Sequence, residues 1–343
     1  MEETKPLQTE QERRAILLSL INHDGFGLEV GPSYSPLLPK SQGYNVETLD
    51  YTSAEALRIK YSGYANVDVS KIEDVDYISD GRGLLDIIGK PENYDYIVAS
   101  HVIEHVTDIV RFIQDCESLL KPNGTLLLAV PDKRFCFDAM RPLSTVGEAL
   151  QAYTENRTRH TPGQVFDYFH SLSKNGGRHI WADTTLDKIT LDYSPEYALE
   201  NYIEAKDALN YIDIHAWRFT PSHFRYIIKT LRSLSFIESG DTIIITNDDS
   251  PIYRFEFYAA LSKLATINTT PDIDLLRSSE KELREIGTEG SSLYIKEISE
   301  LKERISELSS ELRKKSDEND ALLSSSSWKL TRPLRYLKSL IGR

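Results

Sequence analysis

The sequence predicts an α/β fold: a mostly parallel sheet covered on both faces, an insertion over one edge, and a coiled coil after it. Three observations carry this. Short apolar segments alternate with helical patterns from 26 to 132, residues 138–220 interrupt that rhythm, and from 294 the apolar residues recur at 4-3-4-3 spacing. Strands that alternate with helices form parallel sheets, because each helix returns the chain to the end where the next strand must begin.

The elements follow in order. Residues 7–22 read as an opening helix, with Ala15, Ile16, Leu18 and Leu20 among charges. FGLEVG (26–31) is a first strand that ends at a glycine, NVETLDY (45–51) a second, and VDYIS (75–79) a third. YDYIVAS (94–100) is a fourth, and a helical pattern follows it over 102–120. GTLLLAVPD (124–132) is a fifth, with Pro122-Asn123-Gly124 before it and Pro131 at its end. Right-handed crossovers place all five strand C-termini on one edge. Residues 138–220, rich in Tyr, His, Arg and Asp, form a cap over that edge. A helix at 222–234 and an antiparallel pair at 241–246 and 252–260, joined through Asn247-Asp248-Asp249-Ser250, complete a domain over 1–262.

Residues 263–290 read as a polar linker, and 291–323 as a coiled coil. Ile298, Ile305, Leu312 and Asn319 take a positions; Tyr294, Leu301, Leu308, Lys315 and Leu322 take d positions. Ile at a with Leu at d favours a parallel homodimer, and a single core Asn fixes register. Ser324–Ser327 end the helix. In the tail, 324–343, Leu334, Leu337 and Ile341 share one helical face while Arg335 and Lys338 lie off it, beside Trp328 and Tyr336. Such a segment suits the surface of an anionic membrane.

Composition bounds the function. The chain has 343 residues and 40% hydrophobic content, enough for a packed core. Its 53 acids against 40 bases give a net charge of −13, which argues against nucleic acid as a partner. The tail holds five bases and no acid, so the rest of the chain carries −18. No apolar run approaches the roughly 18 residues of a spanning helix, and the opening residues show no secretory h-region. Two cysteines, Cys116 and Cys136, suit a reducing compartment. The expected location is cytoplasmic, peripheral on the inner face of the cytoplasmic membrane.

The most informative stretch is LEVGPSYSP (28–36). Gly31 ends the first strand, where a turn must let the backbone approach a ligand. Asp50 ends the second, where an acid can accept both hydroxyls of a ribose. The full G-x-G-x-x-G pattern is missing, so a pyrophosphate cradle is disfavoured. With YDYIVASHVIEHV (94–106) and LLKPNGTLLLAVPD (119–132), this stretch resembles the class I S-adenosylmethionine (SAM)-dependent methyltransferases over about 26–135, and more weakly to 260. The resemblance implies a Rossmann-like sheet of seven strands, the last antiparallel, and SAM as cofactor. It implies that Glu29 organises the loop of Gly31, Pro32 and Ser33. It places the ribose on Asp50 beside Tyr51, the adenine on Asp80 beside Gly81, with Asp74 and Asp76 as weaker rivals, and the methionine part on Ser100 and His101. The family pattern, acid-x-Gly-x-Gly, loses its second glycine here.

Methyl transfer to a hydroxyl needs alignment and a proton acceptor, for which a histidine is the usual choice. His101, at the end of the fourth strand, and His215, where the insertion rejoins the core, are the two candidate bases; His160 and His170 read as structural. His101, Glu104 and His105 would share one side of a helix, a loose metal set, but no metal is predicted. Insertion residues Tyr153, Arg157, Arg159, Phe166, Tyr168, Phe169, Arg178 and Trp181, with Arg134 and Phe135, are candidates to touch the acceptor or to form a local core. SSSWKLTRPLRYLKSL is similar to the endings of bacterial surface-polysaccharide glycosyltransferases and allied enzymes. That resemblance implies a sugar or lipid-linked glycan as acceptor. The rivals are a small-metabolite or lipid methyltransferase and a non-catalytic scaffold.

Overall fold

A computed structural model describes residues 6–64, 67–181, 186–207, 211–247 and 253–284, together with 304, 308, 310–316 and 318. The chain divides into two compact units, Met1–Thr288 and Glu289–Arg343.

The first unit opens with α1 (Pro6–Leu18) and β1 (Gly27–Val30), followed by β2 (Val46–Asp50), α2 (Ala54–Tyr61), β3 (Tyr77–Ile78) and α3 (Leu84–Ile88). Then come β4 (Tyr94–Ser100), α4 (Ile109–Leu119) and β5 (Leu120–Pro131). The insertion holds α5 (Val146–Thr154), α6 (Pro162–Ser171), β6 (Ser173–Asn175), β7 (Ile189–Leu191) and α7 (Pro195–Asp207). The unit closes with α8 (Pro221–Ser233), β8 (Gly240–Ile245), β9 (Glu256–Ser262) and α9 (Asp272–Arg284).

Seven strands form one sheet in the order β3-β2-β1-β4-β5-β9-β8, parallel except for β9, which runs antiparallel between β5 and β8. The expected Rossmann-like architecture, including its antiparallel last strand, is therefore present. Period-two alternation sends successive β4 side chains to opposite faces. Ile97 and Ala99 pack with Leu28, Leu128, Ile113 of α4 and Ile228 of α8; Tyr96 and Val98 pack with Leu17 of α1, Leu38 and Leu127. Covering both faces explains why β4 and β5 read as continuous apolar runs.

The structure corrects three expectations. The helix expected over 102–120 begins only at Ile109, because Asp108 is its N-cap and accepts from the amides of Val110 and Arg111. Residues 102–108 are turns. Pro122-Asn123-Gly124 does not precede β5 but lies within it, in a register shift between the Tyr94–Leu120 and Tyr96–Thr125 pairs. The segment 263–290 is not all linker: α9 packs on α8, with Leu275 buried, Thr220 Oγ1 3.1 Å from Ser279 Oγ, and Ser222 Oγ donating to Glu282. Within the insertion, Ala149 and Ala152 of α5 join the main core.

In the second unit, residues 310–316 are helical, and Leu308 and Leu312 are exposed. The coiled coil itself is not established by these few positions. Most of its a and d residues, the Asn247–Ser250 connection beyond Asn247, and the whole of the tail lie outside the described residues.

Candidate active site

The C-terminal ends of β1, β2, β4 and β5 meet on one edge of the sheet, as the parallel register requires. At β1 the chain turns at Gly31, whose φ is +70°. A Cβ there would lie 2.9 Å from Val102 Cγ2, so the turn admits no side chain. Ser33, two residues on, stands where the family pattern has its second glycine and adopts a left-handed φ of +48° itself. Its hydroxyl is buried without a hydrogen-bond partner among the described residues.

Two buried acids hold this loop. Glu29 accepts from the amides of Leu37 (2.6 Å) and Leu38 (3.0 Å), and burial raises its pKa to about 7 against the lowering effect of those amides. Asp50 accepts from the amides of Ser33 (2.9 Å) and Tyr51 (2.8 Å). It is 2% exposed, and burial pushes its pKa up. Each Asp50 oxygen keeps a further lone pair. The expected ribose acid thus sits under the loop, tied to it. Pro32 closes the turn by accepting from the amide of Ser35. The Tyr51 ring is half exposed, with the Lys60 ammonium 4.7 Å from its centre.

Asp80 and Gly81 lie past β3, where Gly81 has a φ of +90°. Asp80 forms an ion pair with Arg82 at 2.8 Å, so an adenine contact there requires that pair to open. Ser100 Oγ accepts from Arg13 of α1 at 3.0 Å. A side-chain-free turn, an orphaned hydroxyl and an acid at the next strand end fit a nucleoside held against backbone without a pyrophosphate. Glu29, Gly31, Pro32, Ser33, Asp50, Tyr51, Ser100 and His101 are brought to this edge. Asp80, two residues past the parallel β3, lies toward the same edge and is paired with Arg82.

Beyond β4 lies the most unusual feature. Glu104 is 1% exposed, and neither of its carboxylate oxygens has a hydrogen-bond partner among the described residues. Three imidazoles surround Oε1: His101 Nδ1 at 3.5 Å, His105 Nε2 at 3.8 Å and His215 Nε2 at 3.9 Å. The His–x–x–Glu–His segment gathers this way on turns, not on the helix expected from its spacing. The returning insertion brings the fourth member. Amides of Ala216 and Trp217 donate to the Glu104 carbonyl, and Trp217 Nε1 donates to the Val106 carbonyl, fixing His215 opposite.

The two candidate bases differ. His101 Nε2 lies 2.8 Å from Glu256 Oε2, and Glu256 also receives two bonds from Arg13. Burial lowers the His101 pKa, but Glu104 and Glu256 outweigh it and raise it to about 9. An imidazole that holds its proton at neutral pH is a poor base. His215 Nδ1 lies 2.5 Å from Asp138 Oδ2, which orients the ring and turns Nε2 toward Glu104. Burial raises the Asp138 pKa, but His215 and Arg141 hold it well below the usual carboxylate range. Tyr168 and Phe137 lean on the His215 ring.

The other insertion residues mostly form local cores. Trp181 packs with Phe135 and Ala139, Tyr153 lies against Phe236, and Phe169 against Tyr193 and Tyr197. Arg134 is buried in a pair with Asp132, and Phe135 is buried beside it. His160 is buried, with neither ring nitrogen hydrogen-bonded among the described residues and its pKa lowered by burial to about 4, and His170 stacks on Phe166. Arg13, Glu256, Asp138 and Asp213 are site residues that the sequence did not single out.

Residues 12–178 match the family model described as "Methyltransferase domain". The chain is 48% identical over 42 residues to the mitochondrial ubiquinone biosynthesis O-methyltransferase of Bos taurus, covering 12% of this chain and 11% of that protein. It is 41% identical over 44 residues to the ubiquinone biosynthesis O-methyltransferase of Rhodopseudomonas palustris strain HaA2, covering 13% and 17%. The chain thus spans under a fifth of the length of these relatives. Among solved structures, an S-adenosylmethionine dependent methyltransferase from Mesorhizobium loti is similar at 11% identity with a TM-score of 0.37, covering 72% of this chain and 95% of that one.

Proposed function

We propose that the protein, whose residues 12–178 match a methyltransferase domain, uses SAM to methylate a hydroxyl oxygen presented between the end of β4 and the insertion. The observation that carries this is the buried Glu104 carboxylate ringed by His101, His105 and His215 on the edge where Gly31 and Asp50 also lie. SAM supplies the electrophilic methyl group. The chain's own residues do the rest. Glu29 and Asp50 fix the β1 loop, Ser100 and His101 border it, and the insertion shields the acceptor from water. An aliphatic hydroxyl has a pKa far above neutral, so its proton must be removed or its oxygen acidified as it attacks. His215, oriented by Asp138, is the side chain on which that step depends.

The acceptor we favour is a sugar hydroxyl of a lipid-linked glycan in bacterial surface-polysaccharide (O-antigen or capsule) assembly. Its support is the similarity of residues 324–343 to the tails of enzymes of that kind, and their basic, amphipathic character. In this reading the tail holds the enzyme on the inner face of the cytoplasmic membrane and the heptads pair two copies in parallel. A second reading is a phenolic hydroxyl, favoured by the short similarity to ubiquinone biosynthesis O-methyltransferases.

One assay separates them. Methyl-labelled SAM is supplied to the full chain, and to a chain lacking 324–343, with anionic vesicles carrying lipid-linked oligosaccharide or a polyprenylated catechol. Label in a sugar methyl ether, with turnover on vesicles falling at least tenfold on tail deletion, is the expected outcome. Label only in an aryl ether establishes the second reading, and equal turnover without the tail removes the membrane role.

A further inference from the structure

We propose that Glu104, His105 and His215 form a binding site for a divalent transition-metal cation of the zinc or manganese class. Their ligand atoms all lie within 4.8 Å of one another. Metal–nitrogen and metal–oxygen bonds of about 2.0–2.2 Å place neighbouring ligands roughly 3–3.6 Å apart in a tetrahedral site. The distances of 3.8 and 3.9 Å from Glu104 Oε1 to the two Nε2 atoms are therefore closed by side-chain shifts of under about 1 Å.

Two further observations point to a cation. The first is Glu104 itself, nearly inaccessible and with both oxygens lacking a hydrogen-bond partner among the described residues. The His101 imidazolium meets Oε1 from one side only, at 3.5 Å, and a buried carboxylate that still has an unpartnered oxygen is costly. The second is the arrangement behind the imidazoles. His215 Nδ1 sits 2.5 Å from Asp138 Oδ2, and His105 Nδ1 sits 2.8 Å from Asp213 Oδ1. A carboxylate bonded to Nδ1, as Asp138 is to His215, fixes the proton there and leaves Nε2 as a lone pair. His105 Nδ1 is near Asp213 without hydrogen-bond geometry, and the Nε2 atoms of both rings face Glu104 Oε1 at 3.8 and 3.9 Å. Metal-ligating histidines are oriented by carboxylates in this way. Two imidazoles and one carboxylate suit zinc, manganese or iron better than magnesium or calcium, which prefer all-oxygen sites.

This deepens the proposed reaction and rests on it for its purpose. Three protein ligands leave positions open, and a hydroxyl bound there loses its proton to water at lower pH than a free one. His215 then acts as a ligand, not as the proton acceptor.

The test is cobalt(II) and zinc titration of the metal-free full chain. Cobalt absorption and calorimetry read binding, and a SAM titration is run on the same samples. The expected result is one equivalent of cobalt with a ligand-field spectrum. Affinity should fall at least 100-fold in His105→Asn and His215→Asn, and 10- to 100-fold in Asp213→Asn, whose partly exposed side chain can be changed without disturbing the core. Absence of stoichiometric binding by a folded, SAM-binding chain overturns the site while leaving the methyltransferase reading intact. So does binding that is unchanged in both His105→Asn and Asp213→Asn. Cobalt binding without SAM binding would keep the site and overturn the reaction.

Discussion

Glu29 shows how one residue ties the cofactor loop to the stability of the whole. Its carboxyl is buried beneath the loop, and burial moves its pKa from 4.5 to about 7. A raised carboxyl pKa means that the folded state favours the protonated acid. Its contribution is complete below pH 4.5 and is lost as pH rises through about 7. The loss amounts to about 3 kcal/mol at most. Wild-type stability in urea should therefore fall between pH 5 and 8, and Glu29→Gln should flatten that part of the profile; an unchanged slope would show that Glu29 does not titrate there. Gly31 and Asp50 were legible because their roles are local: a turn at one strand end and an acid at the next. Ser33 read as a departure from pattern, yet its backbone adopts the left-handed geometry a glycine would, at a cost of about 1–2 kcal/mol. Arg13 and Asp138 were not legible as site residues. Their partners Glu256 and His215 lie 243 and 77 residues away, and nothing in a polar helix or an aromatic loop marks such pairings.

At the scale of elements, the strand–helix rhythm was readable because both sheet faces are covered, which leaves long apolar runs. Boundaries were less so. The segment after β4 has helical spacing from 102 onward, but Asp108 caps α4 and releases seven residues into turns. That cap decides where His101, Glu104 and His105 stand. Asp108 Oδ1 receives both the Val110 and Arg111 amides at 3.0 Å. Asp108→Ala should cost about 1–2 kcal/mol in urea unfolding at unchanged m-value, and Asp108→Asn should recover most of it. No loss in the alanine variant would contradict the capping role. The helix α9 was hidden because its composition is polar and only a narrow stripe, Leu275 and Ser279, meets α8. Polar residues at 266–290 look like a linker when the surface they cover is itself polar, as Thr220 and Ser222 are.

At the scale of the whole molecule, a parallel sheet with its antiparallel β9 supplies one edge on which cofactor loop and imidazole cluster meet, and the insertion brings His215 to close it. The second unit adds an association function in the proposed reading. Leu308 and Leu312, 49% and 74% exposed on a helix otherwise lined by Glu311, Arg313, Lys314 and Lys315, are the core positions that a second copy in register would cover in that reading. The full chain should behave as a dimer in light scattering, and Leu308→Asp should convert it to monomer; a dimer that survives would place association elsewhere. The proposed reaction depends on the cofactor edge, and calorimetric titration of SAM and S-adenosylhomocysteine into the full chain tests that edge most directly. Binding of one equivalent with micromolar affinity, lost in Asp50→Ala while the fold is retained, is the predicted result. A folded chain that binds neither ligand, or an Asp50→Ala variant that binds as wild type does, would contradict the assignment.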